Sequence, residues 1–237
     1  KNINFKCGAV NTNSLSKKVV DERADIGFAF DGDGDRLIIV DEKGNEIDGD
    51  KIIALFAKHL IKFNKNKLKY PIVSTVMSNI GLENYILNKF KVNLKRSSVG
   101  DINVIKEMQK YNSLLGGEQS GHIILSDYSK TGDGILAALK VTEIITKLKK
   151  STSTIFNLYE NFPQIKINIP YKKISKNTVN YIKNINIKKL KDKNMRLLIR
   201  LSGTEPLIRI LVEGNDLNKV NTIAKNIEKN IRKKLGK

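Results

Sequence analysis

Residues 26–40 read Ile26-Gly27-Phe28-Ala29-Phe30-Asp31-Gly32-Asp33-Gly34-Asp35-Arg36-Leu37-Ile38-Ile39-Val40. Two short apolar runs, 26–30 and 37–40, flank a loop in which three aspartates alternate with glycines. Short apolar runs bounded by turn-forming residues predict strands. After a turn at 42–46, Ile52, Ile53, Leu55, Phe56, His59 and Leu60 recur at helical spacing. They predict a helix over 51–62, with Asp48 or Asp50 as its cap. Working outward, strands are expected at 70–76, 91–96 and 122–125, with helices at 81–90, 102–111 and 133–149. A Gly-rich loop spans 116–121. Strands alternating with helices imply a layered α/β domain. Ser151-Thr152-Ser153-Thr154 breaks the pattern. Beyond it, strands at 165–169, 196–201 and 207–212 and helices at 175–185 and 217–234 predict a small α+β C-terminal domain. The charged stretch 188–193 reads as a solvated turn.

The 237 residues suffice for one large domain or two small ones. No apolar run approaches the ~20 residues that span a bilayer. The first residues, Lys1-Asn2-Ile3-Asn4-Phe5-Lys6, form no apolar signal region, and the absence of an initiator Met suggests a cut edge. A single cysteine, Cys7, excludes an internal disulfide framework and a multi-cysteine metal site, and fits a reducing cytoplasm.

The formal net charge is +19, which raises nucleic-acid binding as a candidate function. However, Lys, Asn and Ile together make up 94 of the 237 residues, the signature of A/T-rich codons. The charge is also uneven, at −4 over residues 1–50 and +14 over 166–237. Only Tyr171 and Tyr181 supply aromatics after Phe162, so the basic part lacks the stacking residues of a nucleic-acid surface. Neither a nucleic-acid nor a membrane partner is expected.

Three segments carry chemistry. In the first, glycines let Asp31, Asp33 and Asp35 converge their oxygens, a donor set for a hard cation such as Mg²⁺ or Ca²⁺. An EF-hand places aspartates at positions 1, 3 and 5 and an acid at 12, as here with Glu42, but it needs glycine at position 6, where Arg36 stands. The flanks also read as strands, so an EF-hand is rejected.

In the second, Gly116-Gly117-Glu118-Gln119-Ser120-Gly121-His122 offers an acceptor and a donor suited to sugar hydroxyls. His122 is a candidate acid/base. A serine-hydrolase elbow, Gly-x-Ser-x-Gly, is absent. In the third, Arg200-Leu201-Ser202-Gly203-Thr204-Glu205-Pro206, followed by Arg209, brings guanidinium forks and hydroxyls to a glycine turn, a combination suited to a phosphate dianion. Lys130-Thr131-Gly132-Asp133-Gly134 is read as the cap of the following helix, through Asp133.

The three segments, in this order, resemble those of the α-D-phosphohexomutases, enzymes that move a phosphoryl group between the 1- and 6-positions of a hexose. The resemblance covers nearly all of this chain and about the latter half of the family. It implies that Asp31, Asp33 and Asp35 bind Mg²⁺ and that Arg36 lies beside the transferring phosphoryl group. It further implies that Glu118 and Ser120 hold the sugar, that His122 exchanges protons, and that Arg200, Ser202, Gly203, Thr204 and Arg209 grip the non-reacting phosphate. The implied partners are a sugar phosphate substrate and a hexose bisphosphate intermediate.

Members acting on glucosamine phosphate usually have glutamine at the position of Gln119, and those acting on mannose and glucose phosphates usually have methionine. Residues 1–46 are expected to be the end of a metal-binding domain, with a strand near Asn2-Ile3-Asn4 preceding its last helix. By the same resemblance, a sugar-binding mixed-sheet α/β domain covers 47–157 and a phosphate-binding α+β domain 158–237. The family's phosphoserine loop has no counterpart here and would lie before Lys1. Ile102 stands where the family has a basic residue, and Ala9-Val10-Asn11-Thr12 replaces a Ser-Thr-His-Pro-like run.

Overall fold

A computed structural model describes residues 2–63, 70–187, 195–203 and 205–236. The chain divides into two compact units, Lys1–Glu160 and Asn161–Lys237.

In the first unit, β1 (Ile26–Phe30) and β2 (Leu37–Asp41) form an antiparallel hairpin around the acidic loop, extended by a short β3 (Glu46–Ile47). All five residues of β2 are buried, since α1 (Asn13–Asp21) and α5 (Gly134–Leu148) both lie against it. The second sheet has the order β5-β4-β6-β7, with β4 (Ile72–Thr75) parallel to β5 (Leu94–Ser97) and β6 (Leu115–Gly117). Strand β7 (Ile123–Leu125) runs antiparallel to β6. Helix α2 (Gly49–Phe63) packs against β6, β7 and α3 (Ile80–Phe90), and α4 (Asp101–Tyr111) packs against β4, β5 and β6.

Helix α2 is the centre of this core. Ile52, Ile53, Ala54, Leu55 and Ala57 are fully buried, and Asp48 Oδ1 accepts from the Lys51 amide at 3.2 Å, capping the helix start. Burying the isoleucines and the leucine stabilises by roughly 1.5–3 kcal/mol each, which fixes the helix that Asp48 caps and that carries Asp50 in its first turn.

The second unit is a three-stranded antiparallel sheet, β8 (Gln164–Pro170), β10 (Leu207–Gly214) and β9 (Met195–Leu201), with β10 in the middle. Helix α8 (Leu217–Lys234) covers β8 and β10, and α7 (Lys176–Ile187) lies on β9. Asp216 caps α8 by accepting from the Asn218 and Lys219 amides at 2.9 and 3.1 Å. Glu213 has no exposed surface, yet it accepts from Arg196 Nη2 and Gln164 Nε2, both at 2.8 Å.

Several expectations are corrected. Residues 3–6 form a turn and residue 2 is not in a strand, and a 3₁₀ turn follows at Gly8–Val10. Ser151-Thr152-Ser153-Thr154 does not interrupt the fold but starts a short helix, α6 (Thr152–Phe156). Glu42, from the end of the first hairpin, accepts from the Ser153 amide at 2.9 Å and from its hydroxyl at 2.5 Å, while Thr152 Oγ1 donates to Asp25 O at 2.7 Å. Gly116 and Gly117 are strand rather than loop, leaving the turn to residues 118–121. The stretch 188–193 lies outside the described residues.

Candidate functional site

The acidic loop closes the β1–β2 hairpin. Gly34 adopts φ +76°, the left-handed region that favours glycine. Its amide donates to Asp31 O at 3.2 Å, and the Arg36 amide donates to Asp31 Oδ1 at 3.1 Å. One oxygen each from Asp31, Asp33 and Asp35 lies within 4.8 Å of the others. Arg36 Nε is 3.6 Å from Asp31 and 3.9 Å from Asp35. Burial raises the Asp35 carboxyl above its ordinary pKa, and the charges of Asp31 and Asp33 add to this, while His122 opposes it. Three converging carboxylate oxygens are a hard donor set, and they fit a metal ion chemically.

The Gly-rich loop lies beside this cluster. Its turn is closed by the Gly121 amide donating to Glu118 O at 3.0 Å, and the Leu37 amide donates to Gly121 O at 2.9 Å. Arg36 and His122 form a backbone bridge. Glu118 is buried, and its Oε1 accepts from the Gly100 amide at 3.1 Å. Ser120 is exposed at the tip. Gln119 turns toward the start of α2, with Nε2 3.2 Å from Asp48 Oδ2 and its carbonyl accepting from the Gly49 amide at 3.0 Å.

The ring of His122, the expected acid/base, lies inside the protein. The ring is 1% exposed. Nδ1 lies 2.9 Å from Asp35 Oδ2, and Nε2 accepts from the Gly132 amide at 3.1 Å. An acceptor at Nε2 places the ring proton on Nδ1, facing Asp35. Both nitrogens are therefore engaged inside the protein.

Two further features lie near the site, both read from the sequence only as helix caps. Beneath the Gly-rich loop, Ser74 Oγ donates to Gly117 O at 2.9 Å and touches the Ser78 hydroxyl. Asp50, fully buried in the first turn of α2, accepts from the Asn79 amide at 2.8 Å through Oδ2, while its Oδ1 has no partner. Burial, and then the charge of Asp48, pushes its carboxyl pKa up to about 7. The other feature is the 130–134 stretch. Asp133 does cap α5, accepting from the Leu136 amide at 2.8 Å, but the flanking glycines reach the acidic loop and His122.

In the second unit, Arg200 on β9 pairs directly with Arg209 on β10. Arg209 Nη2 donates to Glu205 at 2.6 Å, but the Nε of each arginine is buried without a hydrogen-bond partner. Burial, and then the charge of Arg209, lowers the Arg200 pKa. Ser202 donates its amide to Leu207 O at 2.8 Å, and Gly203 is exposed with open space around it. Thr204 lies outside the described residues. Like charges placed directly opposite across strands destabilise, and an anion relieves that cost.

The family description "Phosphoglucomutase/phosphomannomutase, alpha/beta/alpha domain III" matches residues 48–162, and its C-terminal domain matches 159–230. The chain belongs to this family, the α-D-phosphohexomutases. The phosphoglucosamine mutase of Fusobacterium nucleatum is 46% identical over 243 residues, covering 99% of this chain and 53% of that protein. That of Clostridioides difficile is 42% identical, covering 99% and 53%. The chain thus spans about half the length of the curated relatives it matches.

The fold matches solved structures as well. A phosphoglucomutase/phosphomannomutase family protein from Burkholderia thailandensis superposes with a TM-score of 0.78 at 21% identity, covering 93% of this chain and 49% of that one. The Aspergillus fumigatus N-acetylphosphoglucosamine mutase, solved with GlcNAc-6P and magnesium, gives 0.74 at 18% identity, covering 98% and 54%. Among the described residues, no helix is long and apolar enough to cross a membrane.

Proposed function

We propose that residues 1–237 are the metal-, sugar- and phosphate-binding part of a phosphoglucosamine mutase, which interconverts glucosamine 6-phosphate and glucosamine 1-phosphate by way of a phosphoserine and a bisphosphate. The observation that carries this reading is the acidic cluster held beside the 118–121 turn, in a chain closely similar over nearly its full length to proteins of that name. Residues 1–46 complete a metal-binding domain, 47–157 bind the sugar and 158–237 bind the distal phosphate. Cys7, an exposed free thiol, fits a cytoplasmic protein.

Asp31, Asp33 and Asp35 hold Mg²⁺, which when bound supplies charge neutralisation for phosphoryl oxygens. Arg36 adds a guanidinium at the same place. Glu118 and Ser120 orient the sugar hydroxyls. Arg200, Ser202, Gly203, Thr204 and Arg209 hold the phosphate that is not reacting. Since the substrate must present either end, this grip tolerates two sugar orientations.

Covalent transfer needs a carrier for the phosphoryl group. Ser120 lies in the sugar loop and Ser202 in the phosphate loop, so neither serves. Residues 1–237 therefore do not turn over glucosamine 6-phosphate with Mg²⁺ and glucose 1,6-bisphosphate. Supplying the upstream half of a relative, in trans or by fusion, gives turnover that exceeds activity on mannose or glucose phosphates. Turnover by the unsupplemented chain that Ser120→Ala abolishes would contradict this assignment.

A further inference from the structure

The turn at 132–134 is held against both the acidic loop and His122. The Gly134 amide donates to Gly34 O at 3.0 Å. A Cβ at Gly134 would lie 2.6 Å from Arg36 O and 2.8 Å from Gly34 O. A Cβ at Gly132 would run into the His122 imidazole at Cε1, Nε2 and Cδ2. Both positions thus exclude a side chain because of what they touch, a requirement that capping α5 through Asp133 does not impose.

We propose that His122 and the 132–134 turn form a brace that positions Asp35 for its metal ion. The amide of Gly132 occupies Nε2 of His122, which leaves the ring proton on Nδ1, and that proton holds Asp35 Oδ2. The other oxygen of Asp35, Oδ1, lies 3.9 Å from Arg36 Nε and is not taken up by the histidine. His122 is a positioning residue acting through Asp35, as the outer-shell partners of metal ligands generally do. The inference rests on reading Asp31, Asp33 and Asp35 as a cation site, and it assigns that site a support drawn from two other segments of the chain.

The test uses Mn²⁺ as the probe, with binding to the 237-residue chain followed by loss of the free-ion EPR signal. Asparagine superposes its amide nitrogen on the Nδ1 position of histidine, whereas glutamine superposes it on Nε2. His122→Asn is expected to keep Mn²⁺ affinity within about threefold of the parent chain, while His122→Gln weakens it about ten- to hundredfold. Gly132→Ala, which displaces the ring without altering a polar group, weakens it similarly. Thermal melts confirm that each variant is folded.

A structural role alone would lower affinity in proportion to lost stability, with no difference between Asn and Gln; that pattern would overturn the brace. Unchanged affinity in folded His122→Gln would overturn the brace and leave the cation site standing. Failure of the parent chain to bind Mn²⁺ would overturn both. A metal-free readout is the ¹⁵N spectrum of the ring, which the brace requires to show the proton on Nδ1. A proton on Nε2 would contradict it.

Discussion

Arg200 and Arg209 face each other across adjacent antiparallel strands, each with a buried Nε that no acceptor satisfies. An unsatisfied buried donor costs roughly 1–3 kcal/mol, and the two positive charges repel. An anion gripped by both guanidinium groups would offset that cost. Arg200→Ala is expected to weaken inorganic phosphate binding by about tenfold or more, from the ~1.5–3 kcal/mol of a charge-assisted pair. Removing Lys233, exposed in the last turn of α8, should change little. Equal losses in a phosphate titration would indicate diffuse charge instead of a site.

Asp50 makes stability depend on pH. Its folded pKa of about 7 lies above an ordinary value near ~4. Between those values the folded chain holds a proton that the unfolded chain has released. Folding therefore weakens as pH rises from about 4 to 7. The charge of Asp48 raises the pKa and that of Arg96 lowers it. Asp50→Asn removes this contribution, so urea melts should show it gaining on the parent chain as pH rises. A difference between the two that stays constant with pH would refute this.

Much of the fold is legible in the sequence because it rests on local periodicity. The β1–β2 hairpin, α2 and α8 follow from apolar spacing and an acidic cap. Helix α6 does not, because its start is held by Glu42, which is distant in the chain. Strand β3 is too short to carry a pattern. The site divides in the same way. Asp31, Asp33 and Asp35 announce themselves by alternation with glycine, and Arg200 and Arg209 by a glycine turn between apolar strands. The place of His122 is set by the Gly132 amide and Asp35, and residue type alone conveys neither. Gly132 and Gly134 carry a signal only as an unexplained pair around a capping aspartate. Asp50, Ser74 and Ser78 are polar residues in or beside apolar elements, where the sequence shows no periodicity to single them out.

Glu213 and Arg196 form an ion pair in which the acid is wholly buried. Glu213→Gln removes the carboxylate to which Arg196 donates, while Gln164 keeps a neutral partner. Breaking one side of a buried pair costs roughly 3–5 kcal/mol, and the partial exposure of Arg196 places this case at the lower end. Denaturant melts of the variant should show a loss of about 3 kcal/mol, and a loss well under 1 kcal/mol would mean that the pair is already solvated.

Ile102 is 60% exposed at the start of α4, where relatives by resemblance have a cation. A chain supplemented with the upstream half should gain turnover when Ile102→Lys is introduced, through stronger attraction of the substrate phosphate. An unchanged or lower kcat/KM would show that no cation is needed there.

We propose that this chain recognises an amino-sugar phosphate, with the sugar held through Glu118. Calorimetric titration of residues 1–237 with glucosamine 6-phosphate in the presence of Mg²⁺ tests it most directly. The expected result is saturable binding, tighter than for inorganic phosphate or mannose 6-phosphate, and weakened by Glu118→Gln. Binding no tighter than that of inorganic phosphate, or unaffected by Glu118→Gln, would contradict the claim.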